Sequence, residues 1–125
     1  MAAKALKPNI KVIGVEPTGA PTLRESVAAG ELVELPEIHT KANTLAPRRS
    51  EEINLALIQK HVDEIVLVTD EQMSTAAHWL WHEFGIGAEL SAAASVAALQ
   101  SEQFIPDWGA VCTLIICGAG KDGIN

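Results

Sequence analysis

The chain has 125 residues, of which 48% are hydrophobic and 20% charged, the size and balance of one folded domain rather than of a disordered or repetitive chain. Nine Lys and Arg against 16 Asp and Glu leave a net charge of -7, which repels phosphate backbones and anionic membrane surfaces and argues against a nucleic-acid partner. The longest uncharged apolar-rich stretch, Leu90 to Ser101, is too short and too small-sided to cross a bilayer core of about 30 Å. Met1 to Lys7 holds no apolar run of signal-peptide length, so the expected compartment is the cytoplasm.

In chain order, Lys11 to Glu16 reads as a buried strand closed by Pro17 and Gly19. Thr22 to Ala29 forms a short helix with Thr22 as a candidate N-cap and Gly30 as its stop, and Leu32 to Leu35 reads as a brief extended segment. Pro36 to Pro47 is a loop. Ser50 is a plausible N-cap for a helix over Ile53 to His61, with Glu51 and Glu52 where the helix dipole favours carboxylates. Ile65 to Val68 is a fully apolar run of the kind found in parallel strands covered on both faces. Thr69 and Gln72 fit a capping box. After it, Met73, Ala76, Ala77, Leu80, Trp81 and Phe84 mark an apolar stripe at helical period, broken by Gly85 and Gly87. Ser91 is placed to cap a further Ala-rich helix through Leu99. Cys112 to Cys117 reads as the last strand, running into a Gly118 to Gly123 loop. Within such a strand the two cysteines would sit roughly 16 Å apart on opposite faces, too far to pair.

Strands alternating with helices predict an α/β fold over residues 1–125. The expected arrangement has three layers, with a mostly parallel sheet and helices on both faces. Few residues remain to cover that sheet, so the domain is expected to be part of something larger.

The candidate chemistry is sparse. Gly118, Gly120 and Gly123 satisfy G-x-G-x-x-G after a strand, but no helix follows to place its N-terminus at a pyrophosphate. His78 and His82 have a zinc-compatible spacing and lack an evident third ligand, so a solvated helix face is the preferred reading. Cys117 stands at a strand end, where a nucleophile or a small buried hydrophobe are both open readings. None of the lysines lies in a context that would activate it for imine chemistry.

Six ordered segments carry a resemblance. Lys4 to Thr22 (KALKPNIKVIGVEPTGAPT), Leu35-Pro-Glu37, Val62-Asp-Glu-Ile-Val66, Val68-Thr-Asp-Glu71, Glu89-Leu-Ser-Ala-Ala93 and Cys117-Gly-Ala-Gly120 resemble the C-terminal half of threonine and serine dehydratases. These are pyridoxal-phosphate lyases of the tryptophan-synthase β type, active in amino-acid metabolism. The resemblance implies that Glu16, the carbonyl of Ala20 and a side-chain oxygen of Thr22 hold a divalent cation, an all-oxygen set suited to weak Mg²⁺ or Ca²⁺ binding. The alternative is that Glu16 only ends a strand and Thr22 caps a helix. The resemblance also places Cys117, with Gly118 beside it, at the pyridine nitrogen of the cofactor, and Glu89 near the cofactor ring. Two positions depart from the family pattern: Ala92 replaces a glycine in the E-x-S-G-A segment, and Thr44 replaces a glycine in Asp-Gly-Leu-Ala.

In that family the imine-forming lysine and the glycine-rich phosphate loop precede the matched stretch. The expectation is therefore a truncated dehydratase-like fragment, with no catalytic residue of its own, that does not hold pyridoxal phosphate alone. Two alternatives are half of a split enzyme completed by a partner chain, and a repurposed module that binds a small metabolite at Gly118 to Gly123. Fully apolar strands without complete cover predict a homo-oligomer or a complementing chain, through sheet edges or the Trp79 and Trp81 region.

Overall fold

The structure, a computed structural model, describes residues 1–124. Its elements are α1 (Ala2–Leu6), β1 (Ile13–Pro17), α2 (Thr22–Ala29), a 3-10 turn (Asn43–Leu45), α3 (Glu52–His61), β2 (Glu64–Val68), α4 (Asp70–Phe84) and α5 (Leu90–Gln100). β1 and β2 pair in parallel, with Val15 opposite Val66 and Pro17 opposite Val68. Because side chains alternate across a strand, this register sorts the two faces. Val15, Val66 and Val68 join the core built on α4 and α5, whereas Ile65 lies on the other side with Arg24, Val27 and Ala28 of α2 and Ile58 of α3. The chain is thus a mixed α/β unit in which a small parallel sheet is sandwiched between helices.

α5 is the centre of the packing. Ala92, Ala93, Ala94, Val96, Ala97 and Ala98 are all buried, so this helix is apolar nearly all round, as an interior helix must be. Its small side chains allow α4, β1, β2 and the 3-10 turn to approach it together. α4 presents Met73, Ala76, Ala77 and Leu80 to it. The expected stripe holds over those four residues and fails at its end. Phe84 is exposed and stacks edge-on against Trp79 with centroids 5.0 Å apart.

Local signals decided some ends and not others. The capping box of α4 forms as read, with Thr69 Oγ1 accepting from Gln72 N at 3.1 Å and Gln72 Oε1 accepting from Thr69 N at 2.8 Å. Gly30 and Gly85 close α2 and α4 in the left-handed region. The other three expected caps are corrected. Ser50 gives way to Glu51 at the N-cap of α3, Thr22 lies one residue inside α2, and Ser91 lies inside α5, whose N-cap is Glu89. The brief extended segment at Leu32 to Leu35 forms no strand; it is pinned instead by reciprocal bonds between Leu35 and Arg48, Leu35 N to Arg48 O at 2.8 Å and Arg48 Nε to Leu35 O at 2.9 Å.

The largest correction is the last strand. Residues 111–117 run without turn or bend, yet none of their backbone groups takes a backbone partner among the described residues. A strand exists only by pairing, however strong its β propensity. Both cysteines of this run are exposed free thiols.

Replacing Thr69 by Ala removes the acceptor for the third amide of α4 and should cost about 1 kcal/mol of stability. The check is urea unfolding, with the midpoint expected to fall and the slope to stay constant.

Candidate functional site

Parallel pairing brings the C-terminal ends of β1 and β2 to one edge, where ligands of α/β sheets usually sit. Thr18 N donates to Val68 O at 2.8 Å and extends the ladder to that edge. The loop after α2 then crosses it. His39 N donates to Gly19 O at 2.9 Å, and a side chain at Gly19 would run into the His39 carbonyl, so glycine is required there by close approach. Asp70, at the start of α4, clasps the same loop by accepting from Thr40 Oγ1 and from Lys41 N at 2.7 Å.

The opposite wall is the glycine-rich turn, docked on the start of α5. Glu89 N donates to Gly118 O at 3.2 Å, Gly120 N donates to Gly87 O at 3.1 Å, and Asp122 accepts from Leu90 N at 2.9 Å. The last bond places a carboxylate at the positive end of α5. A Cβ at Gly118 would meet the Glu89 carboxylate, one at Gly120 the Glu89 backbone, and one at Gly123 the carbonyl of Ala77 in α4. Three glycines that spell a dinucleotide motif are therefore explained by close contact with two helices. Glu89 is tied in turn to Thr44, whose hydroxyl donates to Oε1 at 3.2 Å. Of the expected cofactor residues, Glu89 and Gly118 are in contact, and Cys117 is exposed at the adjoining position.

Between the walls lies an open cleft of about 760 Å³ lined by Lys41, Asp70, Glu71, Ser74, Thr75, His78, Leu90 and Asp122. Sequence reasoning missed Lys41 and Asp122, which reach the cleft through contacts 29 and 32 residues apart in the chain; only Asp70 carried a local signal, as an acid in a first helical turn. His78 Nδ1 lies 2.7 Å from Ser74 O while His82 is exposed. Among the described residues no group of three or more His, Cys, Asp or Glu side chains could hold a metal ion.

At the other end of the edge, Glu16 is engaged. Its Oε1 accepts from Leu23 N and its Oε2 from Arg24 N, both at 2.9 Å, so it caps α2 from outside that helix. Thr22 is fully buried and its hydroxyl donates to Pro47 O at 2.6 Å. Ala20 is also fully buried. A cation here would compete with the helix for the Glu16 carboxylate, and the three residues do not stand as a free donor set. Burial raises the Glu16 pKa above its ordinary 4.5, partly opposed by the two α2 amides. The reverse holds at Asp63, where the Lys4 ammonium and the Val12 amide hold the carboxyl below its ordinary 3.8.

A pyridoxal-phosphate group needs a desolvated lysine and an anion cradle. The lysine on this cleft, Lys41, is exposed, and the glycine turn is filled by Glu89 and α4 rather than open to a phosphate. Among the described residues this cleft offers neither a desolvated lysine nor an open anion cradle, so it does not fit the cofactor.

The family of pyridoxal-phosphate dependent enzymes matches residues 1–118, and the chain belongs to it. Over 96 residues it is 36% identical to a biosynthetic L-threonine dehydratase of Halalkalibacterium halodurans, covering 77% of this chain and 23% of that one. It is 29% identical to a phenylserine dehydratase of Ralstonia pickettii over 97% of this chain and 37% of that one. The structure superimposes on maize serine racemase with a TM-score of 0.74 and 30% identity, covering 78% of this chain and 30% of that chain. The chain thus spans well under half the length of these relatives. Among the described residues no helix is long and apolar enough to cross a membrane.

The two perturbed carboxylates give opposite pH responses in separate windows. Glu16 binds its proton more readily folded than unfolded, so its contribution to stability grows as pH falls through the range just above 4.5. Asp63 binds its proton less readily folded, so its contribution is lost as pH falls below 3.8. Thermal unfolding between pH 3 and 6 should show Glu16→Gln removing the first slope and Asp63→Asn the second.

Proposed function

We propose that these residues form the cofactor-ring side of a threonine or serine dehydratase-like lyase and that, as a chain of 125 residues, they fold as one domain and catalyse no elimination. The observation that carries this reading is the packing of the Gly118 to Gly123 turn. Its glycines are spent on contact with Glu89 and Ala77, and its Asp122 holds the first amide of α5. That leaves a turn that supports one wall of a site, with no built anchor for a phosphate and an exposed lysine as the only amine on the cleft lining. Completion by a second chain, either another copy or one that supplies a lysine and a phosphate loop, agrees with the apolar side chains left exposed at Ile105, Trp108, Val111 and Ile115.

The test is spectroscopic and kinetic. Mixed with pyridoxal phosphate, the purified chain should show no absorbance band distinct from free cofactor and should release no 2-oxo acid from L-threonine or L-serine. Turnover above a no-protein blank would overturn the proposal, because it would require an activated lysine that the cleft does not display.

For the segment around Glu16, Ala20 and Thr22 we infer the helix-capping role over the cation role. Titration with Ca²⁺ to about ten millimolar, beyond the weak end of calcium modules, should leave the amide shifts of residues 16 to 22 in place. Saturable movement of those shifts would restore the cation reading.

A further inference from the structure

We infer that Thr44 is a positioning residue for Glu89: its hydroxyl holds the Glu89 carboxylate against Gly118 and so joins the crossing loop to the glycine turn through one side chain. The inference rests on the reading of Glu89 and Gly118 as one wall of the site in the proposed function, and it deepens that reading by naming what fixes the wall.

Glu89 occupies the N-cap of α5 and yet its side chain caps nothing. It takes no bond from the first turn of that helix, although an acid at this position ordinarily accepts from an amide two or three residues on. The Leu90 amide is taken instead by Asp122 at 2.9 Å. The Glu89 carboxylate is therefore free of the helix it begins, and one of its oxygens is used twice elsewhere. Oε1 accepts from Thr44 Oγ1 at 3.2 Å, and the same Oε1 lies where a Cβ on Gly118 would stand. Glu16, Asp70 and Asp122 bond backbone amides, whereas the Glu89 carboxylate bonds a side-chain hydroxyl, which a single substitution removes.

The donor arrives at a fixed place. Thr44 lies in the 3-10 turn Asn43–Leu45, which packs on α5; Ala42 just before it is buried, and Leu45 packs against the core. Upstream, Asp70 accepts from Thr40 Oγ1 and Lys41 N, and Thr40 Oγ1 accepts in turn from Ala42 N at 3.1 Å. The loop is thereby tied to α4 at residues 40–41 and to the start of α5 at residue 44. Glu89 N donates to Gly118 O and Gly120 N to Gly87 O, so an ordered Glu89 holds the glycine turn with it. Thr44 stands where the resembled family pattern has glycine, which has no hydroxyl to give. The bond is thus a feature of this sequence and not of the pattern.

The experiment uses the full chain. Thr44→Val keeps the shape of the side chain and removes the donor, whereas Thr44→Ser keeps the donor. Hydrogen exchange followed by NMR at the Glu89 and Gly120 amides, whose bonds tie the turn to α5, should be about fivefold faster in Thr44→Val, as expected for one lost hydrogen bond to a carboxylate. In Thr44→Ser it should stay within about twofold of the unaltered chain. The Val62 amide at the end of α3, bonded to Ile58 O, should not change in either variant, which separates local release of the turn from a general loss of stability. In a Glu89→Ala chain, Thr44→Val should have no further effect, because the acceptor is already gone. Unchanged exchange in Thr44→Val, equal acceleration in Thr44→Ser, acceleration that extends to Val62, or the same effect in the Glu89→Ala chain would each overturn the inference. A cofactor absorbance band or turnover by the unaltered chain would defeat the proposed function and leave these exchange rates where they are.

Discussion

The architecture depends on the burial of α5. An eleven-residue helix with six buried small or branched residues can lie against both strands and α4 because alanine side chains keep the axes close, and each such contact removes apolar surface from water. Substituting a larger side chain at Ala93 or Ala97, both at 0% exposure, would push apart the layers that position everything else. The same helix fixes the site wall. Its first amide is held by Asp122 and its N-cap residue by Gly118, so the glycine turn is located by the helix it serves.

That dependence explains why the glycines and carboxylates of the edge are structural first. Gly19, Gly118, Gly120 and Gly123 stand where a Cβ would strike backbone or the Glu89 carboxylate. Glu16, Asp70 and Asp122 each accept from backbone amides in a neighbouring segment. Carboxylates engaged in this way are acceptors with little freedom to act on a substrate proton. Membership of the pyridoxal-phosphate dependent enzymes fits this pattern. Among the described residues the glycine turn and the carboxylates of this edge are engaged with backbone rather than open to a ligand.

The segment after α5 stands apart from the sheet. Among the described residues the sheet has two strands, and a third apolar run touches α5 through the Ser95 hydroxyl without backbone partners. In a parallel sheet such runs are buried on both faces, whereas here Val111 and Ile115 stay exposed.

The sequence by itself determined the elements whose signals are local. The α4 capping box, the glycine stops of α2 and α4, the period of Met73 to Leu80 and the apolar runs of β1 and β2 all lie within a few residues of the structure they specify. Six motifs in order were also enough to point to the family. Only the tertiary structure decided the rest. Glu16 caps α2 and Asp122 caps α5 in place of Thr22 and Ser91 because a carboxylate at a helix N-terminus need not come from the adjoining residue. Lys41 joins Asp70 at the cleft through a loop crossing that no periodicity announces. Residues 111–117 have the composition of a strand and are not one, since a helix satisfies its backbone within its own segment whereas a strand must find its hydrogen bonds on another.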